Sequence, residues 1–129
     1  MRFLREYLII IILLSFIFLM EYLTSQSLAE ATSWMRDAVI GIETKMKEKQ
    51  ESQAQQEFYE LKDKWKQKAE SLALFVEHNE LEKVSNDIVI IESNFETNET
   101  EKILENIAEL KFMLEHIEEK NQLKLKNIF

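Results

Sequence analysis

An almost purely apolar block opens the chain, and after it apolar and polar positions recur with the period of a helix. The block extends from Tyr7 to Met20. Its apolar members are Tyr7, Leu8, Ile9, Ile10, Ile11, Ile12, Leu13, Leu14, Phe16, Ile17, Phe18, Leu19 and Met20. Such a block near an N-terminus predicts either a membrane anchor or a secretion signal, and both would send the following residues across the membrane.

Length alone favours a cleaved signal, since the strict block is shorter than a full membrane span. Counted from Phe3 to Leu23, however, the segment is about 31 Å long as a helix, which matches a bilayer core if Arg5, Glu6 and Glu21 extend their charges outward. No Gly or Pro interrupts the helix before the small-residue sites at 27–29 and 29–31 where cleavage is conceivable. We therefore predict an uncleaved anchor over residues 1–23 and a body over residues 24–129, with a removed signal as the alternative.

The flanks of the block predict its orientation. Arg2 and Arg5 precede it, and basic residues beside a span stay in the cytoplasm. Tyr7 and Tyr22 stand where interfacial aromatic residues are common. We expect a single-pass protein of the cell membrane with a cytoplasmic N-terminus and an extracytoplasmic body. Because the chain has no Cys, a lipoprotein anchor is excluded.

Composition favours an all-α body. The chain has one Gly, no Pro and 31% charged residues, which leaves little material for tight turns, phosphate-binding loops or strand-rich folds. The residues after the anchor suffice for one modest domain. A net charge of −8 argues against nucleic acid as a partner.

Four stripes of apolar residues, spaced three and four apart, predict four amphipathic helices. The stripes are Leu28, Ala31, Met35, Ala38, Ile42 and Met46; then Phe58, Leu61, Trp65, Ala69, Leu72 and Val76; then Leu81, Val84, Ile88, Ile91 and Phe95; and last Ile103, Ile107, Leu110, Leu114 and Ile117. Gly41 is interpreted as a tolerated glycine inside the first helix. Each stripe needs partners and the links are short, so the sequence predicts an antiparallel, roughly four-helix bundle continuous with the anchor.

Three polar motifs predict where the later helices begin. The capping box from Ser52 to Gln55 is expected to start the second helix. Asn79 followed by Glu82 is expected to start the third, because the third stripe is rotated relative to the second. The motif from Asn98 to Glu101 is expected to start the fourth, after a turn over residues 95–98.

The predicted topology returns the C-terminal segment 123–129 toward the lipid surface. There Lys124 and Lys126 would meet anionic headgroups while Leu125, Ile128 and Phe129 insert. The alternative is a basic helix end whose last apolar residues pack on the core.

The two histidines are the weak candidates for metal binding. On a helix His78 and Glu82 are four residues apart, and His116 and Glu119 three apart, so each pair would present a nitrogen and an oxygen ligand on one face. The Glu-x-x-His pattern of di-iron bundles is absent, because Phe75 occupies one of the required Glu positions and Met113 the other. The sequence predicts no metal site and no cofactor.

Catalysis has no evident residues either. There is no Cys and no Gly-flanked Ser, so nucleophilic catalysis is disfavoured and we expect no enzyme. Trp34 and Trp65 are interpreted as packing residues rather than ligand-stacking groups.

The stretch from Trp65 to Glu82, WKQKAESLALFVEHNELE, and the ending Leu125-Lys-Asn-Ile-Phe129 resemble an uncharacterised bacterial family, the domain of unknown function 4363. The resemblance covers nearly the whole chain. It implies a membrane-anchored helical protein with no assigned activity, and therefore transfers no catalytic residue. It draws attention to Trp65, Glu77, His78 and Leu81 and, with the ending, to Phe129 as possible interaction residues.

A structural or protein-interaction module of the cell envelope, with a membrane or envelope protein as partner, is the function that the sequence favours. The alternative is a ligand- or metal-binding bundle that works through a membrane partner, since few residues precede the block to carry a signal.

Overall fold

The computed structural model describes residues 2–74 and 76–128, and every regular element in them is an α-helix. The helices are α1 (Arg2–Lys47), α2 (Glu51–Leu72), α3 (His78–Glu96) and α4 (Thr100–Ile128). α1 packs against α2 and α4, and α3 packs against α4, whereas the backbones of α2 and α3 approach each other at few places. The predicted all-α, four-helix antiparallel bundle is confirmed.

α1 changes character along its length without a break. From Arg2 to Leu23 its described residues are exposed, and from Leu28 onward it buries one stripe. That stripe consists of Leu28, Thr32, Met35, Val39, Ile42 and Met46. The predicted stripe is wrong at two positions, since Thr32 and Val39 point into the core while Ala31 and Ala38 are only partly buried beside it. Because the helix rotates by about 100° per residue, Ala31 and Ala38 lie at the edge of the buried stripe and not at its centre.

The other three helices bury almost every apolar residue that the spacing predicts. Phe58, Leu61, Ile91, Ile103 and Leu114 are fully enclosed in a single cluster. Ala69 is only partly buried, and Val76 is buried from the α2–α3 link instead of from α2. Phe58 of α2 lies against Phe95 of α3 with 5.3 Å between ring centroids, and the cluster contains residues of all four helices.

Two turns of the same kind close one end of the bundle. Lys49 and Asn98 adopt positive φ values of 62° and 55°. After each, the next amide donates to the carbonyl five residues earlier, from Gln50 to Lys45 at 2.8 Å and from Glu99 to Asn94 at 3.0 Å. This is the Schellman arrangement, which normally places Gly at the positive-φ position.

The predicted helix starts are wrong by one or two residues. α2 begins at Glu51 after Gln50, and Gln50 makes no side-chain capping bond, so Ser52 lies inside the helix. Because the Schellman turn already orients the chain, the backbone carbonyl of Gln50 accepts from Ala54 without help from a capping box.

The same holds for the later starts. α3 begins at His78 after Glu77, not at Asn79. Asn98 terminates α3 through its positive φ instead of capping α4, which begins at Thr100, so the turn occupies residues 97–99. Asn tolerates that conformation better than most residues, which explains its presence there.

The bundle consists of two similar helical hairpins. The first hairpin comprises residues 28–72 and the second comprises residues 78–121. Their turn residues, Lys49 and Asn98, differ by 49 positions, and the buried residues match at that same offset. The matched pairs include Met35 with Val84, Val39 with Ile88, Ile42 with Ile91, Met46 with Phe95, Ala54 with Ile103, Phe58 with Ile107, Leu61 with Leu110, and Trp65 with Leu114.

Ion pairs connect neighbouring helices along their flanks. Arg36 pairs with Glu118, Lys45 with Glu57, Lys62 with Glu92, and Lys111 with Glu43. The Glu92 carboxylate accepts a hydrogen bond from Lys62 and thereby raises the pKa of that lysine. All four pairs are partly solvent-exposed, so they help to set helix register more than they add to stability.

Candidate functional site

Every described residue of the apolar half of α1 is exposed. This half is long and apolar enough to cross a membrane, and among the described residues it is the one segment that meets that test. None of its 18-residue hydrophobic window is buried within the chain. A continuous exposed apolar surface of this size is unlike the surface of a soluble monomer, which rarely exposes more than a few hundred Å² in one patch.

The bundle end next to this segment is here called the near end. It comprises residues 21–28 of α1, the described residues 73, 74, 76 and 77 of the α2–α3 link, and residues 117–128 of α4. Asn121 is buried there and its Nδ2 donates to the backbone carbonyl of Ser25 at 3.2 Å. Lys124 and Leu74 line a crevice together with Glu21, Thr24 and Ser25. These contacts fix α4 and the link beside the point where the apolar half of α1 ends.

A partly buried charge network lies one turn deeper. Lys120 donates to Glu77 at 2.8 Å and to Glu80 at 3.3 Å. The hydrogen bond from Lys120 lowers the pKa of Glu77, and the two carboxylates raise the pKa of Lys120. Glu80 is buried, and the Nε2 of His116 lies 3.6 Å from its Oε1. Lys120 is therefore committed to carboxylates of its own chain.

α4 continues for two turns beyond its core packing. Asn121 is its last buried residue among those described, and Gln122, Leu123, Lys124 and Lys126 are exposed. Neither Lys124 nor Lys126 forms an ion pair with a described residue. The side chains of Leu125 and Ile128 and the whole of Phe129 lie outside the described residues, so their predicted insertion has no structural counterpart here.

The histidines lie near this end without forming a ligand cluster. His78 pairs with Glu82 at 3.5 Å across one turn of α3, and both side chains are exposed. His116 approaches Glu80 on α3 instead of Glu119 on its own helix. Within residues 2–74 and 76–128, no three His, Asp or Glu side chains are placed to hold a metal ion.

The residues singled out by the family resemblance divide into two groups. Trp65 is buried and its Nε1 donates to Ser85 Oγ at 3.0 Å, which links α2 to α3. Leu81 is also buried, whereas Glu77 and His78 are exposed at the near end. The buried pair packs the core, and only the exposed pair is open to another molecule.

Trp34 is 38% exposed between α1 and α2, where the Nζ of Lys64 lies 3.7 Å from its ring centroid. The exposed face of the Trp34 ring is therefore already occupied by a cation of its own chain. Gly41 lies in the same groove, and a Cβ at that position would meet only Glu57 Oε2 at 3.6 Å, an ordinary contact. The interpretation of Trp34 as an interhelix packing residue fits this placement.

Buried polar residues are the feature that the sequence reasoning missed. Glu80, Asp87 and Asn94 recur every seven residues on α3 and are buried. Burial, and secondarily the charge of Glu109, raises the pKa of Asp87 to about 6. Within the described part of the chain, Asp87 Oδ2 and Asn94 Nδ2 have no hydrogen-bond partner. The seven-residue repeat is visible in the sequence, although only apolar residues were counted there.

Comparison with known proteins gives one family. The family model Domain of unknown function (DUF4363) matches residues 22–128, which include all four described helices apart from the apolar half of α1. No curated protein and no solved structure matches the chain.

Proposed function

Since the chain belongs to the DUF4363 family of unknown function, we propose a role from its own architecture: a non-enzymatic, membrane-anchored helical module that binds a protein partner at the bacterial cell envelope. The observation that carries the proposal is the continuity of α1, which is exposed and apolar in its first half and part of the bundle core in its second. In this proposal the first half of α1 contacts lipid and the second half packs in the bundle core.

Anchoring is supported by the dimensions of the exposed half. Residues 3–23 measure about 31 Å at 1.5 Å per residue, close to the roughly 30 Å of a bilayer core. The charges of Arg5 and Glu21 fall near the two ends of this length. A signal cleaved after residue 29 or 31 would cut α1 within its buried stripe, which argues for retention of the segment.

Orientation is supported by the distribution of basic residues. Arg2 and Arg5 precede the apolar block, while residues 21–44 contain one basic residue, Arg36, and four acidic ones. The excess of basic residues marks the cytoplasmic side. The body is therefore assigned to the outside of the cell membrane.

Partner binding is supported by large apolar side chains on the outer faces of the second hairpin. Phe112 of α4 is 66% exposed and Val89 of α3 is 65% exposed. Aromatic side chains that are exposed in this way are enriched at protein interfaces. No enzyme activity is assigned, because within residues 2–74 and 76–128 no nucleophile is combined with a loop that would supply backbone donors.

Topology is tested by cysteine labelling, which is clean because the natural chain has no Cys. A Phe112→Cys variant should react with a membrane-impermeant maleimide in intact cells. The control Phe3→Cys should react only after the membrane is permeabilised. Reaction of Phe3→Cys with protection of Phe112→Cys in intact cells would reverse the assigned orientation, and release of the unprocessed chain by alkaline carbonate would overturn the anchor.

The interaction role is tested by crosslinking in cells. A photoreactive residue at Phe112 and another at Val89 should each capture the same envelope protein. The control is the same residue at Lys66, an exposed charged position on α2. Capture of no protein from either apolar position, or of the same set from Lys66, contradicts the proposed interaction surface.

A further inference from the structure

We propose that the near end of the bundle is itself a lipid-binding surface, in which the last turns of α4 and the α2–α3 link rest on anionic phospholipid headgroups. The inference rests on the proposed anchoring of α1 and adds a second membrane contact to it. Its recognition groups are Lys124 and Lys126 for phosphate and Leu74 and Leu123 for the apolar side of the interface.

The depth of this surface follows from the contact between α4 and α1. Ser25, whose carbonyl accepts from Asn121, lies two residues beyond Leu23 and so about 3 Å above the end of the apolar segment. α4 runs back toward the membrane, so Lys124 lies about 4.5 Å and Lys126 about 7.5 Å nearer to it than Asn121. The shared crevice of Lys124 with Glu21 and Thr24 agrees with this level. Measured from the end of the apolar segment, the backbones of the two lysines therefore lie about 1.5 and 4.5 Å inside it, a depth from which the long lysine side chains reach outward to the headgroup phosphates.

The last two turns of α4, residues 122–128, differ in charge from the rest of the molecule, since they contain two lysines and no acidic residue. With a net charge of −8, the chain as a whole is repelled by an anionic surface. Lys120 is neutralised by Glu77 and Glu80, whereas Lys124 and Lys126 are exposed and form no ion pair with a described residue, although Lys124 helps to lower the pKa of Glu77 from a longer distance. Two such lysines within a headgroup layer contribute attraction to anionic lipid of about five-fold in affinity each.

Apolar exposure completes the surface. Leu74 in the α2–α3 link is 78% exposed and Leu123 on α4 is 60% exposed. Leu74 lines the same crevice as Lys124, so an apolar and a basic side chain adjoin at the level where α1 leaves the apolar segment. This combination is typical of helices that lie in the membrane interface. It also explains why α4 extends beyond the core that it packs against.

The test uses the full-length chain reconstituted into vesicles, with an environment-sensitive fluorophore on Leu123→Cys. The control carries the fluorophore on Ser52→Cys, which is exposed near the opposite end of the bundle. In vesicles that contain phosphatidylglycerol, lipids with a shallow spin label should quench the fluorophore at residue 123 and leave that at residue 52 unchanged. In wholly phosphatidylcholine vesicles, quenching at residue 123 should be weaker.

The role of the two positive charges is tested by Lys124→Gln together with Lys126→Gln in the Leu123→Cys background. These substitutions should abolish the difference between the two lipid compositions, while the matched pair Lys66→Gln and Lys68→Gln on α2 should preserve it. Equal quenching of residues 52 and 123, or a lipid dependence that survives loss of Lys124 and Lys126, overturns the headgroup contact. A carbonate-resistant chain with an unquenched residue 123 refutes this contact alone, whereas a chain that carbonate extracts refutes the anchor as well.

Discussion

The first hairpin buries one polar side chain among its described residues, Thr32, and the second buries four: Glu80, Asp87, Asn94 and Asn121. Thr32 donates its hydroxyl to the Leu28 carbonyl of its own helix at 2.9 Å and so needs no other partner. The polar residues of α3 lie along one edge. Glu80 accepts a hydrogen bond from Lys120 of α4, and the charge of Glu109 on α4 contributes to the raised pKa of Asp87. At the matching positions of the first hairpin, 49 residues earlier, stand Ala31, Ala38 and Lys45.

The two hairpins therefore share the spacing of their buried apolar residues and differ in the polar residues that they bury. Ala31 and Ala38 let α1 pack without polar burial at two of these positions, and Lys45 at the third pairs with Glu57 on the flank, whereas α3 encloses carboxylate and amide groups at the equivalent places. A buried polar group without a partner costs about 1–3 kcal/mol, so the second hairpin carries a stability deficit that the first does not.

The largest expected effect breaks the shared core. Phe58→Ala removes a fully buried ring that packs on Phe95 of the other hairpin, and it should lower the free energy of unfolding by about 3–5 kcal/mol. Urea unfolding of the full chain in a non-ionic detergent, followed by circular dichroism, measures this change. The control Phe112→Ala alters an exposed ring and should stay within about 0.5 kcal/mol. Equal losses for the two variants would show that Phe58 does not join the hairpins.

A smaller effect isolates the polar burial of the second hairpin. The pKa of Asp87 is raised from 3.8 in the unfolded chain to about 6 in the fold, so the folded state binds this proton more tightly. The free energy of unfolding should therefore fall as the pH rises from about 4 to above 6, by about 1–3 kcal/mol for this group. Asp87→Asn removes the titration and should stabilise the protein at pH 7.5 relative to the natural chain.

The measurement is the difference in unfolding free energy between Asp87→Asn and the natural chain at several pH values. This difference should grow from pH 4 to pH 7.5 and then level off. Asp63→Asn, at an exposed position of α2, is the matched control. A difference that is constant with pH would mean that Asp87 ionises in the fold as it does in the unfolded chain.

The smallest effect compares the two turns. Lys49 holds a positive φ that favours Gly, so Lys49→Gly should stabilise the protein by about 0.5–1 kcal/mol. Asn98→Gly should change stability by only a few tenths of a kcal/mol, because Asn already tolerates this conformation. Thermal unfolding of the two variants gives the comparison. A larger gain at residue 98 than at residue 49 would contradict the equivalence of the turns.

The sequence predicts the core because burial on a helix obeys a fixed period. Phe58, Ile91, Ile107 and Leu114 could be assigned to the interior from spacing alone. Helix starts were predicted less well, because the usual signals are side-chain caps. Gln50 and Glu77 make no such bond, so the misleading caps at Ser52 and Asn79 had no visible competitor in the sequence.

The candidate surface could be predicted only in outline. An antiparallel order brings the end of α4 back beside the apolar half of α1 whatever the details, so Lys124 and Lys126 could be placed there from the topology. The bond from Asn121 to Ser25, which sets their depth, joins residues 96 positions apart and leaves no periodic trace. Asp87 was missed because a lone acid between apolar residues looks like an ordinary solvated position until α4 covers it.

The uninterrupted course of α1 also sets a height. From Leu23 to Lys47 the helix rises about 36 Å, so with the apolar half of α1 in a membrane, as proposed, the turns at Lys49 and Asn98 would stand at a fixed distance from the lipid. A continuous helix of this kind would transmit a tilt of its apolar half directly to those turns. A protein bound at these turns would therefore be held at a set spacing from the membrane and would move when the apolar half of α1 tilts.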